Sequence, residues 1–213
     1  MATSAPDGTF DDEDDLLPLK ISCTSSDCER DLHCFRETKN MVPDERGACR
    51  YCGVDLVDWD RVRAQDTADA KYTFAALRTE LIRHHFWHKD IGQRAVNHAR
   101  RKGRTGMREA TETRIRSSVG RARAELFRDG TQTPMDGDNL NLIHYAQHAT
   151  ASCCRTCIEE WHGIPRDRAL TEGEVRYLTD LAMLYIEERL PDLAEDGITV
   201  PPMRPKVADR GRQ

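Results

Sequence analysis

Along most of the chain beyond residue 69, apolar positions recur at helical spacing. Leu77, Leu81, His84 and His88 fall four, three and four residues apart, which puts them on one face of a helix read over 69–88. Two further helical stretches, 91–102 and 106–128, have narrow apolar stripes and are separated by Gly103 and Gly106. Asp129 to Asp138, with Gly130, Pro134 and Gly137, reads as a loop, and a helix or short strand follows near 140–148. Ser152 is placed to cap a helix in which Cys154, Cys157, Ile158 and Trp161 share a face, and Gly163 and Pro165 end it. The last helix is the clearest. Thr171 and Glu174 make a capping box, and Val175, Leu178, Leu181, Ala182, Tyr185 and Ile186 form a stripe that runs until Pro191.

The first third lacks this periodicity. Leu17 to Cys23 alternates weakly, as a short strand does, and the segment from there to Val57 has too few apolar side chains to hold itself together. The predicted architecture is mainly α, a single compact unit with a small N-terminal zinc knuckle or ribbon that includes a short β hairpin. Its expected parts are an acidic tail (1–18), a zinc-binding module (19–57), a helical body (58–192) and an extended, proline-bearing tail (193–213).

Hydrophobic residues make up 38% of the chain and charged residues 32%, and no run of about 18 apolar residues occurs, so no membrane-spanning helix and no membrane partner are expected. The amino terminus opens with acids where an export signal needs a basic start and an apolar stretch, so the expected location is cytoplasmic. In that reducing setting the eight cysteines and eight histidines point to metal ligation rather than disulfides.

Cys23, Cys28, Cys49 and Cys52 make the first constellation. The Cys49-x-x-Cys52 turn, followed by Gly53, lets two thiolates reach one ion, and the Cys23/Cys28 pair completes a tetrahedron suited to structural Zn2+. His33 or Cys34 can replace Cys28 without breaking any spacing rule, and an iron–sulfur cluster is the minority alternative.

A second constellation packs three histidines and three cysteines into 144–162. A second zinc site is read there from His148, Cys154, Cys157 and His162, with Cys153 or a histidine of 84–88 as alternative ligands. Three ligands and one open position would make it catalytic, with Glu159 and Glu160 the nearest carboxylates. The competing readings are a redox pair and buried core thiols. His84 and His88 stand at i, i+4, a ligand spacing that core packing explains equally well.

Charge is segregated. Twelve bases face only four acids between Lys89 and Arg128, whereas 167–196 holds nine acids and three bases. Arg100, Arg101, Lys102, Arg104, Arg114, Arg116, Arg121 and Arg123 form a belt suited to nucleic-acid phosphates. The aromatics that base stacking needs are absent from it, and the belt can equally pair with the acidic parts of the same chain.

The blocks Arg-His-His-Phe-Trp-His (83–88), Asn-His-Ala-Arg-Arg-Lys-Gly-Arg (97–104), His-Ala-Thr-Ala-Ser-Cys-Cys-Arg-Thr-Cys (148–157) and Trp-His-Gly-Ile-Pro (161–165) resemble an uncharacterised bacterial domain family. The resemblance spans about 19–192 and implies one compact unit without implying an activity. The expected function is that of a zinc-binding, nucleic-acid-associated protein. A metal-dependent hydrolase using the 144–162 cluster, possibly a nuclease, is the alternative, and a protein-interaction adaptor the third reading.

Overall fold

The computed structural model describes residues 21–137 and 139–201. The acidic tail 1–18, most of the Leu17–Cys23 alternation and the tail beyond 201 lie outside them. Seven α-helices occur among the described residues: α1 (Trp59–Arg63), α2 (Ala70–Leu77), α3 (Leu81–His88), α4 (Gln93–Val119), α5 (Leu142–Ala149), α6 (Arg155–His162) and α7 (Glu172–Arg189). All eight residues of α5 are buried. It is the central strut, flanked by α3, α4 and α7, while α4 and α7 pack along each other and α1 lies on α6.

α7 forms as its sequence dictates. Thr171 Oγ1 accepts from the Glu174 N–H at 3.3 Å, and Glu174 Oε2 accepts from the Thr171 N–H at 2.8 Å. Arg168 then clamps the Glu174 carboxylate at 2.6 Å and holds its pKa down at about 2. Leu178, Leu181, Ala182, Tyr185 and Ile186 are fully buried, each larger side chain contributing roughly 1.5–3 kcal/mol.

The helix expected over 69–88 is two helices. The chain turns at Arg78–Glu80 because His33 forms a parallel bridge with Glu80: the His33 N–H donates to Thr79 O at 2.7 Å, and the Leu81 N–H to His33 O at 3.0 Å. The interruption resets the helical phase, so Ile82, Arg83, Phe86 and Trp87 face the core. His84 and His88 are displaced to the edge of the fold, where their rings stack at 4.0 Å.

α4 runs through both expected stretches and ends at Val119 rather than near 128. Its break is at Gly103, which has φ 64° and ψ −178°. The segment 194–198 crosses there. The N–H groups of Arg104 and Thr105 donate to the Ala194 and Glu195 carbonyls at 2.9 and 3.1 Å, and the Ile198 N–H donates to Arg100 O at 2.9 Å. A Cβ on Gly103 would collide with the Asp196 carbonyl carbon. Gly106, by contrast, stays within the helix.

Cys154, not Ser152, caps α6. Its sulfur accepts from the Cys157 N–H at 3.3 Å, and Asp129 accepts from the Arg155 and Thr156 N–H groups at 2.8 and 3.3 Å. The Ser152 hydroxyl bonds instead to Thr150. Gly163 ends the helix in the left-handed conformation with φ 66°.

The N-terminal module contains no β hairpin among the described residues. Asp27 and Leu32 form one isolated antiparallel bridge, and the chain otherwise turns through two short 3-10 segments, Cys28–Arg30 and Pro43–Glu45. Few apolar residues are available to pair into strands. Docking onto the body rests on an aromatic trio, in which Phe35 meets Trp59 and Trp161 edge-on at 5.9 Å each and the two tryptophans lie 5.1 Å apart.

Candidate metal centres

Four donors of the N-terminal module converge: Cys28 Sγ, Cys49 Sγ, Cys52 Sγ and a ring nitrogen of His33 all lie within 4.8 Å of one another. Cys28 and Cys49 are 3.8 Å apart, and Cys52 is 3.4 Å from His33 Nδ1. The Cys49–Cys52 turn closes with the Gly53 N–H donating to Cys49 O at 2.8 Å and Gly53 at φ 74°. Burial opposes ionisation of Cys49, but N–H donors from Cys34, Cys52 and Tyr51 prevail and bring its thiol down to about 6. Burial and hydrogen bonding to Cys52 and Cys49 push Cys28 up to about 11. The N–H donors around Cys49 thus favour its thiolate, the form that ligates a metal.

Cys23 does not belong to this group, and His33 stands in its place. The reason is geometric. His33 and Cys34 follow one another in a short bridged run, where successive side chains point to opposite sides. His33 therefore faces the cysteines, while Cys34 turns into the core and lies 3.5 Å from Cys23 O.

The second convergence is at the start of α6, where the sulfurs of Cys153, Cys154 and Cys157 lie within 4.8 Å of one another. Hydrogen bonds from Cys153, Cys154 and Cys23 hold the Cys157 thiol well below its usual range against the effect of burial, and Arg83 adds to them. Arg83, only 1% exposed, donates through Nη2 to Cys157 Sγ at 3.1 Å and through Nη1 to Cys153 Sγ at 3.7 Å and His148 O at 2.8 Å. Its Nε meets Glu80 Oε2 at 3.0 Å, which also accepts from Trp161 Nε1 at 2.8 Å.

The histidines expected at this site are elsewhere. His148 donates from Nε2 toward the Thr133 and Pro134 carbonyls at 3.1 and 3.2 Å and stacks on Phe86. His162 uses both nitrogens, with Nδ1 3.0 Å from the Tyr177 hydroxyl and Nε2 2.9 Å from Thr150 O. Burial holds both rings down at about 4, hence neutral near pH 7. Glu159 is engaged by Arg166 at 3.0 Å and Glu160 by Arg36 at 3.6 Å.

The basic belt divides. Arg116 pairs with Glu112 and Glu172, and Arg123 with Asp129. Arg104 donates to Leu193 O and Pro191 O, and Arg114 to Gln132 O. Arg100, Arg101, Lys102 and Arg121 are exposed and make no ion pair among the described residues. Residues that sequence reasoning passed over are Arg83 and Glu80, a buried charge pair that a polar stretch of sequence does not distinguish from surface residues.

No described helix is long and apolar enough to cross a membrane. No solved structure matches the chain. A family model does match, over residues 71–187, more than half of the chain and a shorter span than the 19–192 expected; it contains Cys153, Cys154 and Cys157 but none of the N-terminal cysteines. The chain therefore belongs to the family described as Domain of unknown function (DUF4186).

Proposed function

We propose that this is a zinc-stapled helical protein that associates with nucleic acid, working in the reducing interior of the cell. The observation that carries the zinc reading is the convergence of Cys28, His33, Cys49 and Cys52. Tetrahedral zinc with Zn–S near 2.3 Å requires sulfurs about 3.8 Å apart, and Cys28 and Cys49 are 3.8 Å apart. With four protein donors this site has no position left for water, which supports a structural role for it.

The nucleic-acid reading rests on the turn before Gly103. Arg100, Arg101 and Lys102 project from a segment splinted by backbone bonds to 194–198, so three cations are presented on a rigid support, and Arg121 offers a fourth further along. Contacts of this kind fall on phosphates and carry little sequence preference.

The test is fluorescence anisotropy with labelled duplex DNA and duplex RNA between 50 and 200 mM salt. Salt-sensitive binding is expected, and the Arg100→Ala/Arg101→Ala/Lys102→Ala variant is expected to flatten the slope of log K against log salt by about 2.7, or 0.9 per lost contact. Absence of salt-sensitive binding by the wild type would overturn this half of the reading and leave the adaptor role in its place.

A further inference from the structure

Six of the eight cysteines fall into two groups of mutually close donors, and the second group, with three sulfurs, is one ligand short of a tetrahedron. Cys153, Cys154 and Cys157 face one another within 4.8 Å; Cys23 stands outside that mutually close group, and its thiol interacts with Cys157 and Cys154 from the side of the N-terminal module. We propose that Cys23, Cys153, Cys154 and Cys157 form a second zinc centre, a four-thiolate site that clamps the beginning of the N-terminal module onto the start of α6.

Three features of the surroundings favour an ion over a plain cluster of thiols. Cys153 and Cys157 are buried, and one guanidinium, that of Arg83, serves both sulfurs. Cys154-x-x-Cys157 repeats the arrangement seen at Cys49-x-x-Cys52: a turn at which the Cys157 N–H donates to the Cys154 sulfur at 3.3 Å, the kind of outer-shell bond that orients a ligating thiolate. Two guanidinium groups approach the sulfurs. Arg83 bonds to Cys157 and Cys153 directly, and Arg36, beside Glu160, interacts electrostatically with Cys157, Cys23 and Cys154. A zinc ion with four thiolates carries a net charge of −2, which Arg83 and Arg36, each also paired with a carboxylate, offset in part.

The chemistry of the set selects the metal. Four thiolates without an imidazole or carboxylate suit zinc, or iron bound through sulfur, and exclude the hard cations calcium and magnesium. With every donor supplied by the chain, the centre is structural. It stands apart from the first site and from the basic turn, so loss of nucleic-acid binding leaves it untouched.

The experiment is elemental analysis of the full chain, purified without added metal and dialysed against a chelator, together with optical spectra of the Co2+-substituted protein. The wild type is expected to hold two zinc ions per chain. Cys23→Ser and Cys154→Ser/Cys157→Ser are each expected to hold one, Cys34→Ser two, and His33→Ala/Cys52→Ser one, with a Co2+ spectrum of purely thiolate type. Should the double variant of α6 fail to fold, Cys23→Ser and the Co2+ spectrum of the first-site variant decide the matter. One ion in the wild type that survives Cys154→Ser/Cys157→Ser would overturn the centre. Two ions retained by Cys23→Ser with an unchanged Co2+ spectrum would remove Cys23 from it, and iron with sulfide-to-iron absorbance would overturn the assignment to zinc.

Discussion

Arg83 is a charge placed where a helix normally buries an aliphatic side chain, and replacing it tests how the body is held together. In Arg83→Met the straight side chain refills most of the volume, so the cavity contribution is small. What is lost is electrostatic. The Glu80 carboxylate, 3% exposed, keeps only its bond from Trp161, and His148 O and Cys157 Sγ lose their donors at 2.8 and 3.1 Å. Breaking a buried pair on one side costs about 3–5 kcal/mol, or about 6–20 °C in Tm for a chain of this size. Adding Glu80→Gln removes the stranded charge while its amide oxygen still accepts from Trp161, so the double variant is expected to regain about 1–2 kcal/mol over Arg83→Met. Urea unfolding followed by circular dichroism, at pH 7.5 and with metal content checked for each variant, measures all four corners of the cycle. A loss below about 1 kcal/mol for Arg83→Met, or a double variant no better than the single one, would refute the assignment of the pair as a buried tie.

Two further predictions concern stability. Gly103→Ala forces a Cβ to within 2.6 Å of the Glu195 and Asp196 carbonyl oxygens; backbone strain of about 1–3 kcal/mol and up to three lost backbone bonds predict a loss of about 3–6 kcal/mol, and a thermal melt within 2 °C of wild type would contradict this. Burial lowers the pKa of His162 to about 4 from 6.5. The unfolded chain then takes up a proton between those pH values that the folded chain refuses, so this histidine's contribution is complete above pH 6.5 and is lost as pH falls toward 4. His162→Gln is expected to flatten the stability profile between pH 6 and 4.5 by about 1.4 kcal/mol per pH unit, and parallel profiles for variant and wild type would disprove it.

How much of this was legible differs by segment. α7 could be read to its cap because Thr171, Glu174 and the stripe from Val175 to Ile186 agree on a single answer. The phase of α3 could not, since it is set by the bridge from His33 to Glu80, a contact between residues 47 positions apart that no local periodicity records. For the ligands, spacing groups Cys28, Cys49 and Cys52, which do converge, but it adds Cys23 and offers His33 only in place of Cys28. Assigning the fourth donor required knowing that His33 sits in a bridged run with its ring on the cysteine side. Counting offered a clue. Three cysteines at 153–157 lack a fourth partner, while the N-terminal module holds two donors, Cys23 and Cys34, beyond the four of its own group. Proximity in sequence draws His148 and His162 toward the second site, although α5 and α6 aim them at backbone carbonyls.

The position of Cys23 also sets an order of events during synthesis. Cys28, His33, Cys49 and Cys52 span 25 residues and can close on an ion soon after Cys52 leaves the ribosome. Cys157 emerges a hundred-odd residues later, roughly 5–20 s at ordinary elongation rates. Under the proposed second centre, Cys23 has no ligand set of its own throughout that interval and, five residues from Cys28, would compete with His33 for the fourth position of the first site. It would acquire its own set only once residues 153–157 have emerged. The nascent chain would then pass through a local ligand set that the finished protein abandons, and transfer of Cys23 would mark the docking of the N-terminal module onto α6.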